Sequence, residues 1–154
     1  MEQKTKIIAE EGKQELMITR EFELPLELLF KAYQEPELVE QWMGTKVLKL
    51  ENKKHGSYSF ETSHNGEVVF RANGAIHEFI PNQKIIRTFE MENAAIGVQL
   101  EFLEFEKLSD NTSKLTMQVI YRSVEHRAMQ PKMPFAYGLN MAHNKLQEIL
   151  SNLK

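Results

Sequence analysis

Pro134–Lys154 reads PFAYGLNMAHNKLQEILSNLK. Proline suits the first position of a helix, and Phe135, Leu139, Ala142, Leu146, Ile149, Leu150 and Leu153 then recur at helical spacing. Asn140, Asn144, Lys145, Gln147 and Glu148 take the opposite face. About 20 residues make a rod about 30 Å long, with an apolar face that needs a partner. Upstream, from Thr45 onward, the hydrophobic period is 2 rather than 3.6. Strands are expected over 46–50, 57–63, 67–80, 84–91, 97–107 and 113–121. Asn65-Gly66 is a two-residue hairpin signal, Pro81-Asn82 a second turn and Asp110-Asn111 a third. Consecutive strands with tight turns form an antiparallel sheet, and the terminal helix is the one large element able to cover it.

Further upstream, Leu16, Ile18, Arg20, Phe22 and Leu24 share one side of another strand, with Arg20 an exception that an edge strand would tolerate. Pro25 ends that strand and opens a short helix with Leu24 as its cap. Leu26, Leu29, Phe30 and Tyr33 form its apolar face. Glu35-Pro36-Glu37 opens a second helix, whose face is Leu38, Val39 and Trp42 and whose exit is Gly44. Residues 1–13 read as an N-terminal arm or extra strand. The expected fold is α+β: one domain over 1–154, with a seven-stranded antiparallel sheet, two short helices between strands 1 and 2, and a long C-terminal helix. At 154 residues a chain buries about 70% of its unfolded surface.

Composition excludes several functions. Nineteen basic against 22 acidic residues give a net charge of −3, which argues against general nucleic-acid binding. The absence of cysteine removes disulfides, thiolate metal sites and cysteine nucleophiles. No apolar run approaches the ~20 residues that span a bilayer, and the N-terminus lacks an apolar signal core, so no membrane insertion and a cytoplasmic location are expected. None of His55, His64, His77, His126 and His143 pairs at i, i+4, so no metal is expected. No Gly-x-Ser-x-Gly or Gly-x-Gly-x-x-Gly motif occurs. No catalytic residue or cofactor is assigned.

The sequence resembles the helix-grip superfamily (START, Bet v 1-like) and, within it, the group named after the C-terminal domain of the activator of Hsp90 ATPase. The resemblance runs from about Ile18 to the C-terminus. It is carried by Thr19-Arg20-Glu21-Phe22 before Pro25, Leu29-Phe30-Lys31-Ala32-Tyr33, and Glu35-Pro36-Glu37-Leu38-Val39-Glu40-Gln41-Trp42. It continues through His55-Gly56-Ser57-Tyr58-Ser59-Phe60, Gly74-Ala75-Ile76-His77-Glu78 with Pro81, Ile85-Ile86-Arg87-Thr88-Phe89, and the tail from Gly138 through Leu150. Met43 stands where that group usually has a second aromatic, and His55 where it has a second glycine, so ligand preferences do not carry over. The resemblance implies that the sheet curves around the terminal helix and closes a hydrophobic cavity.

Candidate cavity walls from the sheet and short helices are Trp42, Tyr58, Phe60, Phe70, Ile76 and Phe89. Met117, Tyr121, Met133, Phe135 and Leu139 complete them, and Met117, Met133 and Met141 are adaptable in shape. Gly74, Gly138 and Ala142 would leave room, while Tyr58 and Tyr121 would offer hydroxyls. Apolar walls with few polar points suit a small-molecule site. The same residues also serve as plain core, each large side chain stabilising by about 1.5–3 kcal/mol. Arg71 has the parity opposite to Phe70 and Ala72. Arg87 shares the parity of Ile85 and Phe89, which makes it the inward polar anchor. Ser123–Pro134, with a short helix capped by Ser123, reads as a lid or as a rigid connector.

Three functions follow. The first is a binding module for a small apolar or amphipathic molecule. The second, from the resemblance, is interaction with an Hsp90-type chaperone. The third is a cavity enzyme of the cyclase, dehydratase or hydrolase type, which needs polar residues such as Arg87, His77, Glu101 and Tyr121 to converge. Exposed early strands and the Ile7-Ile8 arm leave room for a homodimer.

Overall fold

The computed structural model describes residues 4–92, 94–130 and 132–154, the side chains of 132–134 excepted. Eight strands form one antiparallel sheet in the order β1-β2-β8-β7-β6-β5-β4-β3. They are β1 (Lys6–Ile8), β2 (Glu15–Phe22), β3 (Lys46–Leu50), β4 (Ser57–His64), β5 (Glu67–Ile80), β6 (Lys84–Met91), β7 (Val98–Ser109) and β8 (Thr112–Ile120). The helices are α1 (Leu26–Gln34), α2 (Pro36–Met43), α3 (Val124–Ala128) and α4 (Lys132–Ser151). From β3 to β8 the chain meanders. The return of β8 beside β2 joins the two ends of the sequence. Asn65 and Gly66 both have positive φ, as a tight β4–β5 hairpin turn requires. No helix among the described residues is long and apolar enough to cross a membrane.

The eighth strand is the N-terminal arm, with Lys6 opposite Thr19 and Ile8 opposite Met17. It removes β2 from the edge and so overturns the edge-strand account of Arg20. That side chain is 2% exposed and lies inside with Ile18 and Phe22. The cap of α1 is also different. Leu24 is fully buried, and Pro25 takes the N-cap position, its carbonyl accepting from Leu28 N and Leu29 N. The capping role of Ser123 is as expected, with Oγ accepting from His126 N at the start of α3.

The main core gathers Leu16, Phe22, Leu29 and Phe30 with Leu103 and Leu115, and Leu146 and Leu150 of α4 belong to the same cluster. Trp42 Nε1 donates to the Ala32 carbonyl at 2.8 Å and ties α2 to α1. The C-terminal half of α4 is thus packed, and its N-terminal half faces open space.

Candidate ligand cavity

That space is a cavity of about 280 Å³ bounded by β2, the two short helices, β6, β7, β8 and α4. Strand parity brings Arg87 and Phe89 of β6 and Met117 of β8 to its wall, with Tyr121 just beyond β8. Phe135 and Leu139 of α4 face them, and Trp42 closes the α2 side. Seven of the sequence-derived candidates therefore meet at one cavity: Trp42, Arg87, Phe89, Met117, Tyr121, Phe135 and Leu139.

Four others do not meet there. Tyr58, Phe60 and Ile76 pack with Val39 in a separate cluster beside β3–β5. Phe70, half-buried, lies outside both the cavity and that cluster. Gly74 leaves no room for a ligand either, because a Cβ there would lie 2.6 Å from the Tyr58 ring and 2.1 Å from the Thr88 carbonyl oxygen. The glycine exists for the tyrosine, whose hydroxyl donates to the Thr88 carbonyl. Gly138 is exposed on the outer side of α4. Met133 lies outside the described residues as far as its side chain is concerned. His77 is exposed, its ring 6.0 Å from that of His55, and it does not join Arg87.

The polar end of the cavity is built across β6 and β7, where Arg87 and Glu101 stand directly opposite. Arg87 Nε donates to Glu101 Oε1 at 2.9 Å, and Gln99 Nε2 donates to Glu101 Oε2 at 2.9 Å. The two ionic side chains are 12% and 6% exposed. The guanidinium also lies 5.2 Å from the Tyr58 ring centroid. Burial works against the Arg87 charge, but Tyr58 and Glu101 outweigh it and raise its pKa above the ordinary value. The group is therefore permanently cationic. Only Nε is committed to Glu101. Among the described residues the two terminal amino groups donate to no side chain or carbonyl. Burial, with the Glu101 charge added and Arg127 opposing, pushes the Tyr121 phenol up to about 12. Burial first, and Glu101 after it, raises Tyr33 as well, so both phenols are protonated donors at neutral pH.

His143 supplies a polar point on α4. It is 0% exposed, and its ring packs edge-on to Phe22 at 5.6 Å. Thr5 Oγ1 lies 2.8 Å from its Nδ1 and accepts from Arg20 Nη1 at 3.1 Å. Thr5 Oγ1 has a second lone pair as well as its hydrogen, so it pairs with Nδ1 in either tautomer of the neutral ring. Nε2 has no partner among the described residues. Burial, reinforced by the charge of Arg20, holds the imidazole down to about 3.

Tyr33, Gln99 and His143 line the cavity without being among the sequence-derived wall residues, and Glu101 entered there only among the polar residues of the cavity-enzyme reading. A signal existed for two of them, since Gln99 and Glu101 share parity with the buried Leu103 and Phe105. His143 lies four residues after Leu139 and three before Leu146, on the apolar helix face. Among the described residues no group of three or more acidic or histidine side chains is placed to hold a metal.

Comparison with known proteins places this geometry. The family model described as activator of Hsp90 ATPase homolog 1-like protein matches residues 23–151. A crystal structure from Rhodobacter sphaeroides is similar at TM-score 0.84 and 21% identity, covering 97% of this chain and 99% of that one. A solution structure from Arthrobacter aurescens is similar at 0.83 and 16%, covering 96% and 91%. A Mycobacterium smegmatis crystal structure is similar at 0.82 and 20%, covering 95% and 96%. At these identities the three establish a shared fold. Comparison with curated protein sequences gives no match.

Proposed function

The chain belongs to the activator of Hsp90 ATPase homolog 1-like family, and from its cavity we propose that it binds a small amphipathic molecule between the sheet and α4. The observation that carries this reading is a buried, permanently charged Arg87 at the polar end of a largely apolar cavity, with its terminal amino groups uncommitted. Glu101 and Gln99 hold the guanidinium in place, and its free edge suits a carboxylate or carbonyl oxygen. Phe89, Met117, Phe135 and Leu139 would enclose the apolar body. A volume near 280 Å³ is at the lower limit of ligand pockets, which favours a compact ligand.

Trp42 is the only tryptophan and lines the cavity, so its fluorescence reports occupancy. Octanoate and toluene serve as probes against the wild type and Arg87→Met. Octanoate affinity is expected to fall about tenfold or more, because a hydrogen bond to a charged group is lost. Toluene affinity stays within about twofold, since no polar contact is involved. Equal losses for both probes would remove the anchor role, and absence of saturation with either would remove the binding reading. Native mass spectrometry of protein from its own cells then identifies the resident molecule.

The family description favours a second reading, contact with an Hsp90-type chaperone. Stimulation of such a chaperone's ATPase by the purified chain would support it, and no stimulation would set it aside.

A further inference from the structure

The charges on the wall of the ligand cavity cancel. Its ionisable lining residues are Tyr33, Arg87, Glu101, Tyr121 and His143. Arg87 and Glu101 pair at 2.9 Å, and Gln99 Nε2 takes the second carboxylate oxygen. Burial keeps both phenols protonated and, with the charge of Arg20, keeps the imidazole neutral. Two neighbouring arginines leave this balance intact. Arg127 lines an adjoining opening that shares Gln130 and Phe135, and Glu11 lines that opening with it. Arg20 acts on His143 from behind Thr5 and lines no part of the cavity, and β7 and β8 separate its strand from that of Arg87.

The hydrogen-bonding groups left over at the polar end are donors. The terminal amino groups of Arg87 have no partner among the described residues. Tyr33 is buried, its ring 5.1 Å from that of Trp42 and 5.4 Å from that of Phe105, and its hydroxyl has no partner among the described residues either. The sealed side-chain atoms that lack a partner among those residues are Arg20 Nε, Arg127 Nε and His143 Nε2. The Arg87 amino groups and the Tyr33 hydroxyl are therefore not sealed; they meet open space. Arg87 and Glu101 both act on the Tyr33 phenol, which places it toward the polar end. The strongest acceptors, the two Glu101 oxygens, are already occupied.

A carboxylate entering this space leaves water and meets no net positive charge, which is costly. A carbonyl oxygen gives up less hydration and accepts from the same donors. We propose, on the reading that this cavity binds a small amphipathic molecule, that the ligand is a neutral carbonyl compound, a ketone or ester, whose oxygen accepts from Arg87 and Tyr33. Of the two head groups that the free edge of Arg87 can take, the charge balance selects the uncharged one. Glu101 is then the specificity residue. It holds the guanidinium in place and cancels its charge, so the donors remain and the attraction for an anion does not.

The test compares 2-octanone with octanoate, equal in chain length, by Trp42 fluorescence of the full chain above pH 6.5, where His143 is neutral. At neutral pH 2-octanone is expected to bind about tenfold tighter or more, with one affinity at every pH. Octanoate should weaken about tenfold per pH unit, because it enters with a proton. Octanoate that binds as tightly as the ketone, with no pH dependence, overturns the proposal and leaves the binding reading standing. Saturation by neither of them, nor by toluene, removes the binding reading itself. Glu101→Gln keeps an acceptor for Arg87 Nε and frees the charge, so octanoate affinity should rise about tenfold while that of 2-octanone stays within about threefold. No gain for octanoate overturns the role of Glu101. Tyr33→Phe removes a hydroxyl that no described residue uses, so the fold is kept. It should weaken 2-octanone by roughly two- to tenfold and leave toluene unchanged. Unchanged 2-octanone affinity takes Tyr33 out of the site.

Discussion

Arg87 and Arg20 both enter the interior of the same sheet, with β7 and β8 between their strands, and they are treated differently. Arg87 faces Glu101 at 2.9 Å, in a site where Gln99 fills the second carboxylate oxygen. Arg20 has only a hydroxyl, an amide oxygen and an aromatic face. The difference lies in the strands alongside. β7 brings an acidic residue of inward parity into register with Arg87. On the inner face beside Arg20, β8 presents Leu115. A cation inside a protein is thus tolerated either by a carboxylate or by a set of oriented neutral dipoles.

The contrast can be broken most severely at Glu101. Glu101→Leu leaves Arg87 buried and unpaired, and urea unfolding is expected to show a loss of about 3–5 kcal/mol. The double replacement Arg87→Met with Glu101→Leu should recover most of that loss. A double variant as unstable as the single one would mean that packing, not charge, sets the cost.

The neutral arrangement is probed at Asn140, whose Oδ1 accepts from Thr5 N at 3.1 Å and from Arg20. Asn140→Ala is expected to cost about 1.5–3 kcal/mol, the range for hydrogen bonds to charged groups. A cost below about 0.5 kcal/mol, the lower limit for an ordinary hydrogen bond, would show that Arg20 does not depend on it.

His143 sharpens the comparison through pH. Its folded pKa of about 3 lies below the ordinary 6.5, so between those values the unfolded chain binds a proton that the folded chain does not. Stability therefore falls as pH drops below 6.5, by about 1.4 kcal/mol per unit. From pH 6.5 to 5 the wild type should lose about 2 kcal/mol more than His143→Asn. Parallel pH profiles for the two proteins would contradict the buried neutral ring.

The smallest effect belongs to a third arginine. Arg71 meets Glu61 at 3.1 Å, much as Arg87 meets Glu101, but its side chain is 54% exposed. Arg71→Gln is expected to cost less than about 1 kcal/mol. A larger cost would mean that distance rather than burial governs these pairs.

Much of the fold was legible because local rules wrote it. Asn65-Gly66, Ser123 and Gly44 act where their backbone chemistry places them. The alternation of β6 pointed to Arg87 as an inward residue before any partner was known. Parity could not tell a filled interior from an open one. Tyr58 and Phe89 both read as inward aromatics, yet Tyr58 is locked over Gly74, while Phe89 borders the open space. Arg20 was misread because three residues, Lys6–Ile8, turned an edge strand into an interior one.

The sequence by itself determined the elements, their order and the face each presents to the core. Those depend on hydrophobic period and turn chemistry within a few neighbouring residues. The tertiary structure alone decided which inward residues border a cavity, which arginine meets a carboxylate and which histidine nitrogen lacks a partner. Those depend on register between strands and on the gap beneath α4, where residues more than a hundred positions apart, such as Thr5 and His143, come within hydrogen-bonding distance.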